Sequence, residues 1–152
     1  MKLAEALLLR ADVQKKIASL RDRIIANGVV QEGDKPHENP AELMKQAVGA
    51  LGDLESLVTK INRANLKTKT ARGKTLTEAM AHRDMLAAQH ALYIAAIGGS
   101  KKEPERYSAR EIKWVATLDV AKLQKQADDL AKKLRELNVD IQKANWASDL
   151  GD

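Results

Sequence analysis

The stretch VAKLQKQADDLAKKLRELNVDIQKANW, residues 120–146, decides the fold. Val120, Leu123, Ala127, Leu130, Leu134, Leu137 and Ile141 recur in alternating steps of three and four, so they draw one apolar seam along a helix. Asp128 and Asp129 each precede a lysine, Lys132 and Lys133, by four residues, an order that supports an exposed helical face. The helix starts near Asp119 and reaches about Trp146.

The same alternation recurs upstream. Leu3, Leu7, Arg10, Val13, Ile17, Leu20 and Ile24 predict a first helix over about 2–27, ended by Asn27-Gly28, where glycine accepts a left-handed cap. Leu43, Ala47, Ala50, Leu54, Leu57 and Ile61 predict a second over about 40–65. It opens with Asn39 as cap, Pro40 at the first helical position and Glu42 placed for a capping box. Thr75 and Glu78 have the spacing of another capping box and open a third helix, about 76–97, stopped by Gly98-Gly99-Ser100. Apolar residues run most of the way round this third helix, which predicts it to be the most buried. Residues 101–118 read as extended, because IKWVAT at 112–117 is rich in strand formers, although Ser108 and Glu111 have capping spacing.

Composition agrees with helices. The 152 residues hold 24 Ala and 19 Leu with no Phe, two Trp and two Tyr, and alanine and leucine are strong helix formers. The length fits one domain, 1–152. Helices of about 22 to 28 residues are about 33 to 42 Å long, and short connections make long helices antiparallel neighbours. The expected fold class is therefore all-α, an antiparallel bundle of four long helices. Loops 28–39 and 98–118 then share one end, and loop 66–75 and both termini share the other. Val29-Val30 and residues 112–117 would meet, leaving room for a small two-stranded β element. Leu54, Leu57, Ile61, Ala64 and Asn65 also recur as Leu134, Leu137, Ile141, Ala144 and Asn145, an echo explained either by duplicated hairpins or by the sameness of heptad helices.

Several chemistries find no support. No cysteine is present, which excludes disulfides and thiolate metal sites. Glu78 and His82 are four apart rather than in the Glu-x-x-His spacing of a carboxylate-bridged metal site, and His37 and His90 supply no matching partner. ARGKT at 71–75 lacks the first glycine of a phosphate loop and no strand precedes it. No catalytic group, metal site or cofactor is expected, and the reading is non-enzymatic. No run approaches the roughly 20 apolar residues of a membrane span, and Glu5 and Arg10 break the apolar N-terminus. That stretch reads as the first helix rather than an export signal, and the expected location is cytoplasmic.

Two groups of residues stand out. Lys67, Lys69, Arg72 and Lys74 form a basic loop with no acid among them, at the start of a helix. They are candidates for holding a phosphate, a lipid head group or nucleic acid, against the plainer reading of a solvated turn. Arg10 and Arg83 occupy apolar positions of their helices, and Arg63, Asn65 and Asn145 lie at helix ends beside apolar stripes. Their reading is hydrogen-bonded specificity elements. Tyr107, Trp114 and Trp146 lie in the C-terminal half, with Trp114 expected to cover the bundle end or to mark a contact surface.

MKLAEALLLRADVQKKI at 1–17, VQEG at 30–33, INRAN at 61–65, RYSAREIKWV at 106–115 and residues 119–146 together resemble a small bacterial all-helical family called septicolysin. The resemblance spans nearly the whole chain. It implies a cytolysin-like, membrane-active protein and carries no catalytic residues with it. The residues themselves favour a self-associating helical scaffold, because Leu8, Leu9, Ile25 and Val58 widen the apolar face beyond one seam.

Overall fold

Heptad spacing and capping chemistry account for where the helices begin and end in the computed structural model of the chain, which describes residues 1–101 and 114–151. The fold is all-α, with four long helices: α1 (Leu3–Ala26), α2 (Pro40–Lys67), α3 (Leu76–Gly99) and α4 (Val120–Ala147).

Each start has a local cause. The Asn39 Oδ1 accepts the Ala41 N–H at 2.9 Å and Pro40 follows at the first helical position. Thr75 and Glu78 close the expected capping box: the Thr75 N–H donates to Glu78 Oε2 at 2.7 Å and the Glu78 N–H donates to Thr75 Oγ1 at 3.2 Å. Asp119 Oδ1 accepts the Lys122 N–H at 3.0 Å and so caps α4. The end of α1 differs from expectation. Gly28 does not take a left-handed conformation. Asn27 closes the helix instead, its Nδ2 donating to Arg23 O at 2.9 Å while its Oδ1 accepts the Glu38 N–H at 3.0 Å. A side-chain amide that satisfies both a helix carbonyl and a loop amide removes the need for a glycine cap. Likewise α3 runs through Gly98 and Gly99 and stops at Ser100, whose hydroxyl donates to Ala96 O at 2.8 Å.

No strand is present among the described residues, so the two-stranded element is corrected on this point. Val29 and Val30 are exposed in a loop that turns at Gly33, where φ is +94°. Residues 114–119 carry neither helix nor strand, and 102–113, including the Ser108–Glu111 spacing, lie outside the described residues. An isolated antiparallel bridge joins Lys2 and Asp149.

The chain divides into two compact units. The first comprises Met1–Lys69 and Gln142–Asp152. In it α1 and α2 pair as a hairpin, with Leu20, Leu43 and Ala47 forming a buried cluster against which Ile24 packs. Burial of such side chains is the main stabilising term, about 1.5–3 kcal/mol for each large one. The two ends of the chain meet in this unit. Leu3 N–H donates to Ser148 O and Leu150 N–H to Met1 O, both at 2.9 Å, and Lys2 Nζ lies 3.0 Å from Asp149 Oδ1.

The second unit is Thr70–Ile141, which holds α3 and most of α4. Its buried apolar side chains are Leu76, Ala79, Leu86 and Ile97 of α3 and Ala127, Leu130, Leu137 and Ile141 of α4. The α4 members are seam positions, as their spacing requires. The echoing trios Leu57, Ile61, Ala64 and Leu137, Ile141, Ala144 are all buried, a match that either origin of the echo produces.

Candidate functional site

The structure gives the four cations of the basic segment different surroundings. Lys67 belongs to the last turn of α2, not to the loop. Arg72 is held by two carboxylates of α4: its Nε lies 2.9 Å from Asp140 Oδ2 and its Nη2 lies 3.5 Å from Glu136 Oε2. Glu136 and Asp140 are one helical turn apart, hence on one face of α4, and they clasp the loop that leads into α3. The loop has no acid of its own; its acids arrive from residues more than sixty positions away. Thr70 makes the loop tight, its N–H donating to Lys74 O at 2.8 Å and its hydroxyl to the same oxygen at 3.2 Å, with Gly73 at φ +80° between them. Only glycine takes that conformation without strain.

The specificity candidates separate. Arg10 is half-buried, and its Nε is buried without a hydrogen-bond partner among the described residues. Arg83 turns to its neighbour, Nε and Nη2 lying 2.9 and 2.8 Å from Asp84 Oδ1, rather than to an acid across a seam. Arg63 is exposed, Asn65 is half-buried, and Asn145 is buried. Trp114 is 64% exposed and Trp146 is 54% exposed. Tyr107 lies outside the described residues.

The three histidines lie apart in the chain. His37 is exposed, whereas His82 and His90 are half-buried on α3. No group of three or more His, Asp or Glu among the described residues is placed to hold a metal ion. A depression of about 730 Å³ lies between the end of α3 and residues 114–118, with Ser100, Lys101, Trp114 and Leu118 among its lining. It contributes one cation, Lys101, and two hydroxyls, that of Thr117 and that of Ser100, the latter already bonded to a helix carbonyl. Arg23 of α1 pairs with Glu38 of the first loop, its Nε donating to Glu38 Oε2 at 2.9 Å. The hydrogen bond from Arg23 holds the Glu38 carboxyl below its usual range, partly opposed by desolvation, and raises Arg23 in turn.

What the surface does present is apolar. More than half of the residues of α3 are exposed, and most of those are apolar. Its core side is covered, but Met85, Leu92 and Ile94 are 49%, 65% and 45% exposed, and Ala81, Ala87, Ala88, Ala91, Ala95, Gly98 and Gly99 are exposed with them. The stretch from Met85 to Ser100 contains no Asp, Glu, Lys or Arg. A helix face left to water ordinarily carries charges. On α2, Met44, Val48 and Leu51 are exposed at four- and three-residue spacing, and on α1 Leu8, Leu9 and Ile25 are exposed. Leu8, Leu9 and Ile25 were visible in the sequence as spare apolar positions, and Val58, named with them, is half-buried. The α2 and α3 faces were missed, although an apolar character that continues right round α3 was the available signal.

Against known proteins, the model of a family of unknown function, DUF6847, matches residues 10–150. The crystal structure of a functionally unknown conserved protein from Corynebacterium diphtheriae is similar over 97% of each chain, with 39% identity and a TM-score of 0.89. No curated protein matches. Neither finding carries the septicolysin name, so that resemblance is corrected, and the cytolysin-like activity it implied loses its basis. Among the described residues no helix is long and apolar enough to cross a membrane.

Proposed function

We propose that this chain, which belongs to the DUF6847 family of unknown function, is a non-enzymatic helical interaction protein that works by self-association. The observation that carries this reading is the uncharged, solvent-facing side of α3 between Met85 and Gly99. The exposed Met44, Val48 and Leu51 of α2 support it. Contiguous apolar surface on a protein in water marks a place where another molecule docks, because covering it removes area from water at about 25 cal/mol per Å².

The working parts on this reading are helix faces held rigid by their own cores, rather than reacting groups held in a pocket. Light scattering coupled to size exclusion tests it. An apparent mass that rises with loading above the 16.7 kDa of one chain is expected. A mass fixed at one chain at every loading overturns the proposal.

A further inference from the structure

We infer that the partner for the exposed face of α3 is α3 of a second copy, packed antiparallel about a two-fold axis at position 90. This rests on the self-association reading and names its surface. Ala81, Met85, Ala88, Leu92, Ala95 and Gly99 step by four and three along the exposed side, a heptad seam in which Met85, Leu92 and Gly99 take one core position and the three alanines the other. The arrangement is self-complementary in one orientation. Turned end for end about position 90, the seam sets Met85 against Ala95 of the copy, Ala88 against Leu92, and Ala81 against Gly99. Every large side chain meets a small one, which is how facing layers fill space without voids. A parallel in-register pair sets Leu92 on Leu92 and Ala88 on Ala88, alternately crowded and hollow. Isologous contacts of a two-fold pair need this kind of self-complementary patch.

The flanks agree. Ala87, Ala91, Ile94 and Gly98 border the seam without a charge, while Asp84, one heptad before Ala91, is exposed and paired with Arg83 at 2.8 Å; a Cβ built on Gly98 or Gly99 meets nothing within 4 Å, so the helix backbone is open to close approach there. The seam is about 28 Å long and about 10 Å wide, so its footprint is roughly 600 Å² for the two copies together. That is below the 1,200 Å² or more of a stable complex. The contact is therefore reversible and fills with concentration, rather than being a condition of folding.

The sequence has no cysteine, so introduced thiols report without background. Met85→Cys chains mixed with Ala95→Cys chains are expected to join through a short thiol cross-linker. Neither variant is expected to join to itself, since like positions lie about 15 Å apart along the axis. Ala88→Glu, at an exposed site and with a good helix former, is expected to keep the circular-dichroism spectrum and Tm while weakening self-association at least about tenfold. If the native chain associates but Ala88→Glu changes nothing, or Met85→Cys joins to itself, the α3 pairing is overturned and self-association stands. If the native chain does not associate at all, both are overturned.

Discussion

Arg72 Nε lies 2.9 Å from Asp140 Oδ2, joining the loop before α3 to the last turns of α4 within one compact unit. Asp140 is only 18% exposed while Arg72 is mostly exposed, so the pair sits at the edge of water. A double-mutant cycle with Arg72→Ala and Asp140→Ala is expected to give a favourable coupling of about 0.5–1 kcal/mol by urea denaturation. No coupling within error means the pair is a surface accident and leaves Arg72 available to anions after all.

Arg10 supplies the opposite case. A buried donor without a partner costs about 1–3 kcal/mol, and replacing it by an apolar group of similar reach removes that cost. Arg10→Met is expected to leave stability unchanged or raise it by about 1 kcal/mol, read from the denaturation midpoint. A loss beyond about 2 kcal/mol shows that the guanidinium has a partner in solution.

The Arg23–Glu38 pair predicts a pH dependence. Glu38 titrates below its ordinary value in the folded chain, so its contribution is present above the unfolded carboxylate pKa and disappears as pH falls through the folded one. Arg23 is raised and stays charged throughout that window. The stability difference between the native chain and Glu38→Gln is therefore expected to shrink on acidification. A difference that holds constant or grows toward acid pH contradicts the pairing.

Core and surface leucines should separate cleanly. Leu20 is 2% exposed in the α1–α2 cluster, and Leu20→Ala is expected to cost about 2–5 kcal/mol. Leu92→Ala on the exposed side of α3 is expected to stay within about 0.5 kcal/mol in the isolated chain, yet to weaken self-association. Equal losses at both sites in dilute solution would place Leu92 inside a core.

Most of the helical frame was legible in residue spacing. The seam of α4 and the caps at Asn39, Thr75 and Asp119 are local facts, settled within one or two turns of chain. The clasp of Arg72 was not legible, because a sequence does not show which distant acids a fold brings alongside. The exposed apolar side of α3 was not legible for a related reason. Alanine, leucine and glycine all round a helix mean that it wants cover on every side, and the pattern alone does not distinguish cover by the same chain from cover by another. Asn27 was misjudged because its own amide, rather than the following glycine, turned out to close α1.

Sedimentation equilibrium of the native chain over a wide span of concentrations tests the central claim most directly. The weight-average mass is expected to climb from 16.7 kDa toward twice that value as the apolar faces find their partners. A mass that stays at a single chain throughout would show that these faces are simply tolerated by water.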